Sequence, residues 1–212
     1  VLKTTNGGIS WTEYETPFFN TINAICFVDK DFGWIASYEG IAKTTDGGQT
    51  WHTQYTATTG QETSGVTFID KNNGWICGNG GLLMQTKNGG RSWTHQNCNS
   101  DGRFYDIFFL NDNNGWAVGS GYNITNYMTN DGGNTWEQVG HSPCPMYSVY
   151  FSDIDNGWIA GKNKYEYNSN GNYDGILFEV DSYLRGVHFA NNNVGCMVCL
   201  LYTSPSPRDP IG

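Results

Sequence analysis

Residues 44–51 read TTDGGQTW, an acidic residue held between threonines and glycines ahead of a tryptophan. The stretch returns as TTNGGISW (4–11), TKNGGRSW (86–93) and TNDGGNTW (129–136), and its tryptophans Trp11, Trp51, Trp93 and Trp136 stand 40, 42 and 43 residues apart. A second motif interleaves with it: FVDKDFGWIAS (27–37), FIDKNNGWICG (68–78), FLNDNNGWAVG (109–119) and FSDIDNGWIAG (151–161). A fifth copy, FANNNVGCMV (189–198), has Cys196 where Trp34, Trp75, Trp116 and Trp158 stand. All eight tryptophans of the chain fall in one motif or the other, so the repeat organises the whole sequence.

Each period of about 42 residues holds four short β-prone runs divided by Gly, Asn and Asp turns; in the second they are SGVTFI (64–69), GWICG (74–78), GLLMQT (81–86) and SWTHQ (92–96). That is the size and strand count of one propeller blade, with strands a to d. Ile25 and Phe27, Val66 and Phe68, Ile107 and Phe109, and Val149 and Phe151 lie two apart and share a face of strand a. The residues between them, such as Phe108 and Tyr150, are also bulky, as expected where sheets stack radially and both faces are covered. Glycines interrupt every window of helical length. The expected fold is all-β: a β-propeller of four-stranded antiparallel blades, about five in residues 1–198, forming one domain. Strands c and d at the start and a and b at the end would complete each other in a five-blade ring. The opening VLKTTNGGISW has no Met and already lies inside the motif, which points instead to a larger ring of roughly six to eight blades.

Eleven Lys and Arg against twenty Asp and Glu give a net charge of −9, with the cations scattered, so no basic patch is expected for nucleic acid. No apolar run approaches the roughly 18 residues that a membrane-spanning helix needs.

Asp46 reads as a turn residue. An Asx side chain accepts hydrogen bonds from main-chain N–H groups two or three residues on, and the glycines supply the positive φ of a tight c-to-d hairpin. Asn6 and Asn88 replace Asp in two copies, which a turn tolerates and a general acid or nucleophile does not. Asn6, Asp46, Asn88 and Asp131, with Trp11, Trp51, Trp93 and Trp136, are therefore structural, and no catalytic residue is expected among them.

Cys77 aligns with Ala36, Val118 and Ala160 as a small core residue, while Cys98 and Cys144 occupy equivalent d-to-a loops and form a candidate disulfide. No ligand spacing indicates a metal, and no cofactor is expected. The turns DKNNG and NDNNG lack the spacing and final Glu of a calcium loop.

In a propeller the b-to-c and d-to-a loops share one face. Here that face varies in length, with GKNKYEYNSNGNYDG (161–175), QNCNSDGRF (96–104) and QVGHSPCPMY (138–147). Loops on a rigid scaffold are the default recognition surface, and Tyr165, Tyr167, Tyr173, Asp174, Arg103 and His141 are its candidate binding residues.

The Ser/Thr-x-Asp-x-Gly-x-Ser/Thr-Trp pattern resembles the Asp-box, or bacterial neuraminidase repeat. The longer unit most resembles the propellers related to the photosystem II assembly and stability factor, over about residues 1–198. That resemblance implies a non-catalytic scaffold for a protein or glycan, extracellular, periplasmic or at the cell surface. Those factors resemble one another in an arginine-rich patch, whereas only Arg91, Arg103 and Arg185 precede residue 199 here. Asp-boxes also occur in sialidases, which grip a carboxylate with three arginines. Arg91 sits in an Asp-box on the opposite face, so that triad is not expected. The alternative is a glycoside hydrolase using a carboxylate pair drawn from Asp101, Asp106, Glu166, Asp174 and Asp181, partly completed by missing blades. Finally, CLLYTSPSPRD (199–209) matches the conceptual translation of a transposase sequencing adapter, so residues 199–212 are read as a non-native tail.

Overall fold

The hairpin that TTDGGQTW predicts is closed by its own side chains. In the computed structural model, which describes residues 1–121, 125–141, 144–162, 165–167, 183–191 and 193–200, Asp46 Oδ1 accepts from Gln49 N and Thr50 N at 2.9 Å each. At residues 125, 140–141, 165–167, 191 and 200 it describes the main chain alone. The Asp46 bonds reach three and four residues on, beyond the two of a simple Asx turn. Asp46 Oδ2 accepts from Thr50 Oγ1 at 2.6 Å, and Thr44 Oγ1 accepts from Gly48 N at 2.8 Å. Gly47 and Gly48 stand at φ 72° and 89°, where a side chain is strained.

In the Asn copies the hydroxyl bond reverses polarity, with Asn88 Nδ2 donating to Ser92 Oγ at 2.8 Å while Oδ1 still accepts from Ser92 N at 2.9 Å. Hydrogen bonds from Thr50 hold the Asp46 carboxyl well below the usual carboxylate range. Its contribution to stability is present above about pH 4 and is lost as acid protonates the depressed group. Asp46→Asn is therefore expected to leave the neutral-pH Tm almost unchanged, whereas Asp46→Ala lowers it by about 2–4 °C, measured by circular dichroism melts.

The strands follow the repeat. A hairpin of β1 (Leu2–Lys3) and β2 (Thr12–Glu13) precedes blade one, β3 (Ile22–Phe27), β4 (Gly33–Ser37), β5 (Gly40–Thr44) and β6 (His52–Thr56). Blade two is β7 (Thr63–Phe68), β8 (Gly74–Gly78), β9 (Leu83–Thr86) and β10 (Thr94–His95). Blade three is β11 (Arg103–Phe109), β12 (Gly115–Ser120), β13 (Thr125–Thr129) and β14 (Glu137–His141). Blade four comprises β15 (Met146–Phe151), β16 (Gly157–Gly161) and β17 (Tyr165–Tyr167), and β18 (Tyr183–Asn191) pairs with β19 (Val194–Leu200). Within every sheet sequential strands pair antiparallel, and the first strands β3, β7, β11, β15 and β18 touch in turn, as inner strands around a propeller axis do.

One contact explains both motifs. Trp34 of blade one stacks on Phe68 of blade two at 3.5 Å, and Trp75 on Phe109, Trp116 on Phe151 and Trp158 on Phe189 repeat it at 3.6 Å. The Asp-box tryptophan meets the same Phe edge-on within its own blade, as Trp93 meets Phe68 at 6.0 Å and Trp136 meets Phe109 at 5.9 Å. The Phe ring also lies over the glycine that precedes Trp in its paired strand. A Cβ on Gly74 would stand 2.4 Å from Phe68, so the Phe and Gly-Trp positions of the motif specify each other.

Two expectations are corrected. The hairpins β1–β2 and β18–β19 form separate two-stranded sheets, so the ends do not build a shared fifth blade. No disulfide joins Cys98 to Cys144: Cys98 is buried in its own core beside Leu83 and Phe104, with Sγ 3.7 Å from the Gly81 carbonyl. β19 runs from Val194 to Leu200.

Candidate functional site

Every inner strand pairs with its neighbour through a register shift near its start, and the residue left out there is Asn23 in β3, Ser64 in β7, Tyr105 in β11, Tyr147 in β15 and Arg185 in β18, which has a second shift at Phe189/Asn191. These are the same position of the repeat. A bulge frees its extra residue from the ladder and re-aims the side chain. Together with Tyr38, from the turn between β4 and β5, and Arg103, the five line one cleft of about 390 Å³.

The cleft is built of alternating cations and rings. Arg103 Nη2 donates to Tyr38 Oη at 3.0 Å and to Ser64 Oγ at 3.5 Å, and its guanidinium lies 5.3 Å from the Tyr38 ring and 5.0 Å from that of Tyr105. Arg185 lies 4.0 Å from the Tyr147 ring and 5.8 Å from Tyr183, while Tyr105 and Tyr147 pack against each other at 5.0 Å. Burial pushes the Tyr147 hydroxyl pKa up, so it stays a neutral donor and acceptor. Among the described residues, none that lines the cleft carries a carboxylate. In a chain of net charge −9, this is a local concentration of positive charge with aromatic walls.

Directly after the bulged residues runs a hydrogen-bonded seam. Asp106 Oδ2 accepts from Ser148 Oγ and Val149 N at 3.0 Å each, Oδ1 accepts from Ile107 N at 2.9 Å, and Ser148 Oγ accepts from Val187 N at 3.4 Å. One polar chain thus ties blade three to blade four and to β18 behind Tyr105, Tyr147 and Arg185. Burial raises the Asp106 pKa despite these donors. A raised carboxyl contributes stability that is complete below its unfolded value near pH 4 and is lost as pH rises through the folded value. Asp106→Asn is expected to flatten that part of the Tm-against-pH profile, read by thermal melts from pH 4 to 8.

Of the residues expected from sequence to bind, Arg103 lies in the cleft. Tyr165 and Tyr167 belong to β17 and His141 ends β14, with the main chain alone described, and Tyr173 and Asp174 lie outside the described residues. Among the carboxylates of the hydrolase alternative, Asp106 is buried in the seam and Asp101 lines an adjoining pocket of about 220 Å³ that shares Arg103. Glu166 is in β17, and Asp181 lies outside the described residues. Sequence reasoning missed Tyr38, Tyr105, Tyr147 and Arg185 as a group. The available signal was a varied column rich in polar and aromatic residues, Asn23, Ser64, Tyr105, Tyr147 and Arg185, four residues ahead of each strand-a Phe. Two of the arginines judged too few for a patch converge here, Arg103 from two residues ahead of the bulge in β11 and Arg185 from the bulge of β18, because the inner strands of different blades face one axis.

Stacked four-stranded blades with Asp-box hairpins and an axial cleft define the class: an Asp-box β-propeller. Within it, the sequence profile of the photosynthesis system II assembly factor YCF48 family matches residues 3–101 and 93–172, and the chain belongs to that family. A solved structure of YCF48 bound to D1 peptide is 21% identical with a TM-score of 0.68, covering 87% of this chain and 62% of its own. YCF48 from Cyanidioschyzon merolae is 18% identical with a TM-score of 0.65, covering 86% and 64%. An ancestral GH74 enzyme is 17% identical with a TM-score of 0.62, covering 82% of this chain and 28% of its own. The chain thus spans under two thirds of the YCF48 structures, and these likenesses show the fold. The comparison with curated proteins gave no match.

Proposed function

We propose that this propeller is a non-catalytic binding protein that takes a carboxylate-bearing peptide of a protein partner into the Arg103–Arg185 cleft. The observation that carries this reading is the convergence of two arginines from separate blades on one tyrosine-walled cleft whose lining has no acid. A guanidinium held against a ring keeps donors for a carboxylate while the rings cover the peptide's apolar atoms. The structural neighbour with a bound D1 peptide supports a peptide as the ligand class. A hydrolase in this cleft would need an acid and a base or nucleophile flanking the substrate, and the described lining residues include no carboxylate to serve as either.

The test is fluorescence anisotropy with a labelled D1 peptide and the same peptide with every carboxylate converted to amide. Binding of the first, lost for the second, is expected. Equal binding of both, or turnover of a glycan substrate abolished by one Asp or Glu substitution, defeats the reading.

A further inference from the structure

The pocket of about 220 Å³ that adjoins the cleft differs from it in charge. Asp101 is its carboxylate, exposed and without a hydrogen bond or ion pair among the described residues. Arg103, which the pocket shares with the cleft, is committed to the cleft side, with Nη2 bonded to Tyr38 and Ser64 and its guanidinium against the Tyr38 and Tyr105 rings. The volume falls below the roughly 300–1,000 Å³ of pockets that take whole small molecules, and suits one side chain.

The walls are fixed by the fold. Gly102 O accepts from Gly81 N at 2.7 Å, which ties the 99–102 loop to blade two. A Cβ on Gly102 would stand 2.7 Å from Ser120 O, so the loop lies flush against the end of β12. Asn99, the described non-glycine residue at positive φ, is held at 53° with its N–H donating to Asn97 Oδ1 at 2.9 Å. Phe104 and Tyr127 meet edge-on at 5.6 Å and give the pocket an aromatic wall. Tyr127 is 7% exposed, yet its hydroxyl has no hydrogen-bond partner among the described residues. A tyrosine buried to that extent ordinarily has one.

An unpaired carboxylate, an unpaired phenol oxygen and an aromatic wall offer acceptors and π-electrons. An ammonium or guanidinium group brings donors alone, and its carbon stem suits the rings.

We propose that this pocket is a subsite for one cationic side chain, lysine or arginine, of the partner. Asp101 and Tyr127 Oη accept from its head group. The inference rests on the peptide reading above: because the two sites share Arg103, the recognised segment carries an acid for the Arg103–Arg185 cleft and a base close to it in sequence for Asp101.

The test places one lysine at successive positions of the labelled D1 peptide, with norleucine at the same positions as the uncharged control. At one position lysine is expected to bind about fivefold tighter than norleucine, the scale of a solvent-exposed ion pair. Asp101→Asn should bring that ratio close to one and Tyr127→Phe should lower it in part, while Arg185→Ala weakens both peptides and leaves the ratio. No such position, or a ratio that Asp101→Asn leaves intact, overturns the proposal; the latter result is general attraction to an acidic chain.

A second measurement does not involve the cleft. In protein labelled with fluorotyrosine, the Tyr127 fluorine resonance, identified by its loss in Tyr127→Phe, is titrated with N-acetyl-lysine methylamide, its norleucine analogue and methyl glucoside. A saturable shift with the lysine compound alone, removed by Asp101→Asn, is expected. A shift with the glucoside alone, or with none of the three, overturns the cation site. If the D1 peptide fails to bind while the lysine compound shifts Tyr127, the carboxylate reading of the cleft fails and the cation site stands.

Discussion

Trp75→Ala is expected to lower the unfolding free energy by about 3–5 kcal/mol, the range for removing a fully buried aromatic from a core that cannot collapse around the gap. Trp75 is 1% exposed, stacks on Phe109 at 3.6 Å and donates to Gly132 O at 3.0 Å, so the change empties the seam between blades two and three and strands a carbonyl. Urea unfolding at neutral pH measures it, with an unchanged m-value showing that the unfolded reference is the same. Trp75→Phe keeps a ring on Phe109 and loses the cross-seam bond, so it should cost about 1–2 kcal/mol. Trp11→Ala provides the contrast, because that indole is 57% exposed, and a change within about 0.5 kcal/mol is expected. Equal losses at Trp75 and Trp11 would contradict the account of the seams.

The second large effect is on ligand binding. Arg103→Ala and Arg185→Ala should each weaken the carboxylate-bearing D1 peptide by roughly 10- to 100-fold in Kd, the equivalent of one charge-assisted hydrogen bond of about 1.5–3 kcal/mol. Neither should alter Tm by more than a few degrees, since Arg185 is exposed and Arg103 is half-buried at the cleft wall. Arg103→Lys keeps the charge but loses the planar guanidinium whose Nη2 donates to both Tyr38 and Ser64, so recovery should be partial. Affinity should fall as salt rises, because the attraction is between charges at a solvent-open site. Arg91→Ala, in the Asp-box of blade two, should leave Kd unchanged. A loss at Arg91 equal to that at Arg103 would place the ligand elsewhere.

Cleft and scaffold differ in how they are encoded. The Asp-box was legible because its chemistry is local: Asp46 bonds to groups within four residues, and Asn88 does the same work. Strand a was legible because Val66 and Phe68 alternate in a window of six residues. The candidate binding residues were sought in the longest loops instead, and Arg103, the one of them whose side chain is described, lies in the cleft. Tyr105 and Tyr147 read as strand residues one step out of phase, since a bulge is not visible in the alternation it interrupts. Asp106 likewise read as one of several spare acids. Its burial, and its bonds to Ser148 and Val149, depend on the next blade being in place.

The sequence by itself determined the repeat, the four-strand blade and the hairpin clasp, because each is set by neighbours in one strand, one turn or one period, while the stacking of Trp on Phe across each seam needed the next blade in place. Only the tertiary structure decided where function gathers. Arg103 and Arg185 lie far apart along the chain and share one cleft because radial stacking brings the bulged ends of the inner strands to one axis, Arg103 two residues ahead of the bulge in β11 and Arg185 at the bulge of β18, a coincidence in space that no local pattern records.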